Sequence, residues 1–182
     1  EGILSNWICD LITEDVDLNT EGNQSVDLAM IMGFCISGNK ITQGYITMGD
    51  IMSWFPKNTI CEVIELTGED IIKSLEKGCS SLPNECGSLH HVSHHLKYDI
   101  YLCNTGNKVY NVVYNNNPIE LKKKYKVIIT TVMGKGKFGY DWFKNAKRVV
   151  DEEFGPHIID LIKQWLKNNK YIYLKINRIN LI

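Results

Sequence analysis

The chain has 182 residues, 44% of them hydrophobic and 23% charged, with 20 Lys and Arg against 21 Asp and Glu for a net charge of -1. That is enough apolar material for one sizeable core in a single compact unit, and the even mixing of charges excludes the basic field that a nucleic-acid partner requires. The longest apolar stretch, Leu28 to Ile36, is far short of the roughly 20 residues that span a bilayer, so no membrane span is expected, and no signal peptide is visible.

Thr47 and Thr67 each stand three residues ahead of a carboxylate, Asp50 and Asp70, which is a capping-box pattern for a helix start. After Thr47 the apolar residues Ile51, Met52, Trp54 and Phe55 follow at helical spacing, and Pro56 stops the helix by removing a donor. Asn58 to Leu66 alternates, with Ile60, Glu62 and Glu65 among β-branched neighbours, and reads as a strand. After Thr67, Ile71, Ile72 and Leu75 share one face, and Gly78 is placed to supply a left-handed helix stop.

Further strands are expected near Lys97 to Cys103, Lys108 to Asn115 and Tyr125 to Val132, with a turn at Asn116-Asn117-Pro118. Lys122-Lys123-Lys124 falls at a turn and reads as a solvated face. The last helix has Pro156 in its first turn, a stripe of Ile158, Leu161, Ile162, Trp165 and Leu166, acids before it and lysines late, and is expected to pack on the sheet. The tail from Tyr171 to Ile182 alternates apolar and polar residues, as an edge strand or a disordered extension would. Six cysteines, at 9, 35, 61, 79, 86 and 103, include no C-x-x-C pair, which argues against structural zinc; a bridge between Cys79 and Cys86 is open, and the sequon Asn23-Gln24-Ser25 matters only in a secreted protein.

The order IT-x-GD-I, helix, Pro, x-Asn, strand, LTG, helix resembles the C-terminal domain of the 5'-nucleotidase and UDP-sugar hydrolase family. Ser5 to Leu11 is similar to that family's opening helix, Asp27 to Ile36 to its first buried strand running into a G-G-I-R turn, His91-Val92-Ser93 to its Q-V-S-G segment, and Tyr125 to Tyr140 to its Y-K-V through G-G-D-G-Y block. The resemblance runs over residues 1–170 and leaves 171–182 outside it. It implies an α+β fold, a mixed β-sheet core with helices packed on the outside. It also implies the half that grips base and sugar, partnered by an N-terminal metallophosphoesterase domain of the same polypeptide that holds two divalent metal ions. None of that domain's D-x-H, G-N-H-D/E or G-H-x-H clusters occurs here, so this chain itself is expected to carry no catalytic residue, metal or other cofactor, and its start at Glu1 suits an excised segment. The family is often secreted, periplasmic or cell-surface.

By the same resemblance Tyr140 would stack on the base, and Asn58, matching the P-F-x-N asparagine, would shape the pocket. A packed core tyrosine and a strand-entry asparagine are the structural alternatives. The site departs from the family pattern. Gly33-Phe34-Cys35-Ile36-Ser37 stands where the G-G-I-R turn is expected, Leu89 where a second aromatic is expected, and Phe138 where the loop carries an acid. The only arginines, Arg148 and Arg178, fall on no family arginine position, and Lys40, Lys57 or Lys137 could substitute as point charges.

If Gly87 to Ile100 is one strand, as the resemblance implies, His90 and His94 share one face and His91 and His95 the other, with two metal ligands per face at most. Two functions therefore stand: a nucleotide-recognition domain with a degenerate base and phosphate site, or a non-catalytic structural or protein-interaction domain that has lost nucleotide binding.

Overall fold

The structure is a computed structural model, and it describes residues 2–14, 25–37, 44–55, 59–84, 87–169, 172 and 178–182. Asn58, with Pro56 and Lys57, lies outside the described residues, as do Lys40 and Cys86.

Helix α1 (Ile3–Glu14) buries Trp7, Ile8, Leu11 and Ile12. Strand β1 (Leu28–Met32) is buried at all five positions; its edges are paired with β3 and β7 in a five-stranded sheet, and α1 packs on it. That sheet has the order β3-β1-β7-β2-β8, formed with β2 (Cys61–Thr67), β3 (His90–Val92), β7 (Lys124–Thr130) and β8 (Arg148–Val150). β1 and β7 run parallel, and the other pairs in this sheet are antiparallel. A second sheet has the order β6-β5-β4-β9, from β4 (Leu96–Tyr101), β5 (Lys108–Tyr114), β6 (Asn117–Pro118) and β9 (Ile179–Leu181). The α+β plan with mixed sheets and outer helices is the one expected.

Both capping boxes form. Thr47 opens α2 (Met48–Trp54) and Thr67 opens α3 (Gly68–Gly78), each hydroxyl accepting from the aspartate N–H while the carboxylate accepts from the threonine N–H. On α2, Ile51 and Trp54 are buried, but Met52 is 60% exposed. β2 does not alternate: its edges are paired with β7 and β8, helical segments pack against it, and even Glu62 is buried.

Gly78 is not a left-handed stop. It is the last helical residue, followed by Cys79 at φ -89°, and its small size serves packing, because a Cβ there would lie 2.5 Å from His90 Nδ1 and 3.0 Å from the Ser88 carbonyl. The single strand expected over Gly87 to Ile100 is two. A turn at His94 and His95 divides β3 from β4, so the shared-face argument for the histidines fails: His90 and His91 are both buried while His94 is exposed.

β7 ends at Thr130, where the chain enters a short helix, α4 (Thr131–Gly134). The turn before β6 falls on Asn115 and Asn116, both at positive φ, which asparagine tolerates better than most residues. The last helix, α6 (Ile158–Asn168), follows Pro156 and packs on α1, with Trp165 edge-on to Trp7 at 5.4 Å. The tail does supply an edge strand, β9, parallel to β4. It is pinned by Arg178, 4% exposed, which donates to the Asn6 carbonyl at 3.0 Å, to the Val92 carbonyl and to the Asp10 carboxylate.

Replacing Gly78 with Ala forces backbone or the His90 ring to shift, so Gly78→Ala is expected to cost about 1–3 kcal/mol of stability. Urea unfolding of the two proteins measures it.

Candidate functional site

The segment between α4 and β8 holds the family-like loop. It consists of a 3-10 turn at Lys137–Gly139 and then helix α5 (Asp141–Asn145). One side chain organises it from below. Arg148 donates from one guanidinium nitrogen to the Phe143 and Ala146 carbonyls, both at 2.8 Å, and from another to the Gly134 carbonyl at 2.6 Å, while its Nε lies 3.1 Å from Glu62 Oε2. Burial pushes the Glu62 carboxyl up from its ordinary pKa, and the Arg148 charge works against that shift.

Above this anchor an open cavity of about 540 Å³ is lined by Met32, Phe34, Lys77, Ser80, Ser81, Gly87, Ser88, Phe138 and Tyr140. These come from the end of β1, the turn after it, the C-terminus of α3, the loop before β3 and the Lys137–Gly139 turn. Among the described residues, Lys77 is the one ionisable cation in this lining, its Nζ 5.5 Å from the Tyr140 ring centroid. The Ser80 hydroxyl donates to the Lys77 carbonyl and that of Ser88 to the Gly78 carbonyl, which fixes the wall. A second cavity of about 510 Å³ shares Ser80 and Ser81 and has no charged side chain in its lining.

Tyr140 reaches the first cavity but is only 1% exposed. Its ring stacks on Phe143 at 5.2 Å and 21°, and meets Trp142 and His90 edge-on, each at 5.3 Å. Most of its surface is therefore spent on packing. Leu89 is partly buried against the core and does not line the cavity, and Lys137 is exposed outside it. Asn58, Lys40 and Lys57 lie outside the described residues.

Sequence reasoning missed Lys77, Ser80 and Ser81, which the close of α3 delivers to the cavity. It also missed that Phe34 and Phe138, noted only as replacements, would supply the exposed rings. The available signal was Phe138 itself, an aromatic residue between glycines in a polar turn.

His90 is wholly buried behind Tyr140, and neither ring nitrogen has a hydrogen-bond partner among the described residues. Burial, reinforced by the neighbouring His91, pulls its pKa down to about 3. His94 Nδ1 lies 3.2 Å from Asp10 Oδ1 and 3.6 Å from Glu14 Oε1. Among the described residues, however, no group of three His, Cys, Asp or Glu could hold a metal ion. No helix of the described residues is long and apolar enough to cross a membrane.

A family profile described as 5'-nucleotidase, C-terminal domain, matches residues 1–145. Among solved structures, a 5'-nucleotidase precursor from Thermus thermophilus superposes with a TM-score of 0.84 at 24% identity, over 100% of this chain and 36% of that one. The NAD nucleotidase of Haemophilus influenzae gives 0.77 at 16% identity, over 100% and 33%. The sulfate thiohydrolase SoxB of Thermus thermophilus gives 0.72 at 13%, over 100% and 32%. This chain spans about a third of the length of each. No curated protein matches it.

Two outcomes test the site's supports. Arg148→Met removes the guanidinium donor from three carbonyls, of which that of Phe143 keeps the Ala146 N–H, and leaves Glu62 buried without its partner, for an expected loss of about 3–5 kcal/mol by denaturant unfolding. His90 takes up a proton on unfolding between its folded pKa of about 3 and the ordinary 6.5. It therefore contributes stability that is full above pH 6.5 and falls with pH by about 1.4 kcal/mol per unit toward pH 3. His90→Phe is expected to remove that one-proton slope, read from urea midpoints between pH 6 and pH 4.

Proposed function

The chain belongs to the 5'-nucleotidase C-terminal domain family, and from that premise we propose that it is the substrate-recognition part of a metal-dependent phosphoester hydrolase acting in nucleotide breakdown. The ester is cleaved by an N-terminal metallophosphoesterase domain of the same polypeptide. That domain holds the two divalent metal ions, which supply Lewis-acid stabilisation and an activated water when bound. The residues of this chain bind and orient the nucleotide, and none of them is assigned a catalytic role.

The observation that carries this reading is the cavity of about 540 Å³ bounded by the two segments that stand at the positions of family site motifs, with replaced residues: the turn at Gly33–Cys35 and the Lys137–Tyr140 loop. A mostly apolar wall with one cation and a few hydroxyls suits a base and sugar. Tyr140 forms the floor under the base, Asn58, just ahead of β2 in the sequence, shapes the pocket, and Lys77 offers a point charge to the ligand.

The burial of Tyr140 and the lack of any arginine in the lining favour a second reading, a domain kept for structure or protein contacts after its nucleotide site decayed. Phosphate release from AMP, UMP and UDP-glucose by the polypeptide that carries this domain separates the two. Lys77→Ala is expected to raise KM about two- to tenfold with kcat unchanged, the worth of one modest polar contact. Tyr140→Phe is expected to keep the wild-type value and Tyr140→Ala to lose more than Lys77→Ala. Identical KM values in all four proteins would establish the second reading instead.

A further inference from the structure

The second cavity, of about 510 Å³, falls in the size range of small-molecule pockets, roughly 300–1,000 Å³. Two loops form it, residues 80–84 after α3 and residues 102–107 between β4 and β5. One buried amide ties them together. Asn107, 9% exposed, donates to the Cys79 and Leu82 carbonyls, both at 2.8 Å, and accepts from the Cys103 N–H at 3.1 Å. The walls are therefore in place before a ligand arrives, which lowers the cost of binding one. Ser80, Ser81, Asn84 and Asn104 contribute hydroxyls and amides to the lining, beside the apolar Leu82 and Leu102. Side chains that both donate and accept match the amide groups of a peptide.

The same lining holds a nucleophile. Cys103 is exposed, with its Sγ 3.1 Å from the Thr105 hydroxyl. Hydrogen bonds from that hydroxyl and from the Thr105 and Asn104 N–H groups hold the thiol below its ordinary pKa. The other described cysteines, Cys9, Cys35, Cys61 and Cys79, are buried, and burial pushes the thiols of Cys9, Cys35 and Cys61 up. Among the described residues, the accessible thiol and the preformed polar cavity thus coincide.

We infer that this cavity is a site of S-thiolation, in which a small peptide disulfide of the glutathione class binds and Cys103 takes one half of it. The Cys103 thiolate attacks one sulfur of the ligand, a new S–S bond forms to Cys103, and the ligand's own S–S bond breaks. Cys103 is oxidised, and the departing half is reduced to a thiolate that takes a proton from water. Ser80 and Ser81 also line the first cavity, so the half that stays on Cys103 borders that site. The exchange itself is independent of what the first cavity binds.

The test is the rate of adduct formation as oxidised glutathione is raised over the reduced 182-residue chain, followed by intact mass and peptide mapping. One glutathionyl group is expected on Cys103, at a rate that saturates because binding precedes exchange. Bis(2-hydroxyethyl) disulfide, which has no amides, is expected to react at a rate linear in its concentration. Asn84→Ala and Asn104→Ala are each expected to raise the half-saturating concentration about two- to tenfold, the worth of one neutral hydrogen bond, with the maximal rate unchanged. Thr105→Val is expected to slow exchange about two- to fivefold at pH 7 and not at pH 10, where an exposed thiol is ionised without help. All three positions are exposed, so the variants are expected to keep the wild-type melting temperature, which is measured alongside. Rates linear in both disulfides and untouched by Asn84→Ala and Asn104→Ala overturn the cavity's part and leave an exposed thiol only. An adduct on another cysteine, or a bridge within the chain from Cys103 to Cys86, overturns the assignment to Cys103.

Discussion

The backbone path of the loop that carries the candidate site depends on one guanidinium. Arg148 gathers the carbonyls of Gly134, Phe143 and Ala146 and is itself steadied by Glu62 on the neighbouring strand. Those carbonyls belong to α4, α5 and the residue after α5, so a single planar group sets the path of the chain on both sides of the Lys137–Gly139 turn. The arrangement requires Gly134 as well. A Cβ there would lie 2.2 Å from Glu62 Oε2, so the acid that balances the arginine also occupies the space next to the helix. Packing, charge and backbone hydrogen bonding are combined at one point, and the aromatic cluster of Tyr140, Trp142 and Phe143 forms over it.

What could be read in advance was whatever depends on neighbours in sequence. The boxes at Thr47 and Thr67 form because hydroxyl, carboxylate and amide are within three residues of one another. The stripe of α6 shows because helical period is local, yet nothing local says whether a stripe meets a sheet or another helix, and here it meets Trp7 of α1. Gly78 was misread for the same reason. A glycine at a helix end has a local explanation, whereas its actual neighbours, His90 and Ser88, come from a later loop and strand. The histidine run broke into two strands at a turn whose first residue is anchored from α1, where Asp10 accepts the His94 N–H at 2.7 Å. At the site, Tyr140 was legible as a cavity residue, but its burial depends on rings brought in by α5 and β3. The meeting of Phe34 with Phe138 joins segments about a hundred residues apart and carries no local signature.

The solved structures that share this fold span a 5'-nucleotidase precursor, an NAD nucleotidase and a sulfate thiohydrolase. A scaffold that appears in such different enzymes does not by itself fix what a site on it does. In this chain the sheet that supports the cavity is built around strands paired on both sides, and β1 is wholly buried. The lining residues Phe34, Lys77 and Phe138 sit in a turn, near the end of α3 and in a second turn, outside the strand ladders.

Arg178 has a bearing on biosynthesis. It closes a contact with Asn6 across 172 positions and neutralises Asp10 in α1. Until the ribosome has released that arginine, the first helix carries an acid with no guanidinium beside it, and the Asn6 and Val92 carbonyls lack the donation that Arg178 adds. Synthesis therefore leaves the amino-terminal helix weakly seated until β9 arrives, and a chain broken off before residue 178 has an opening helix that lacks its closing staple.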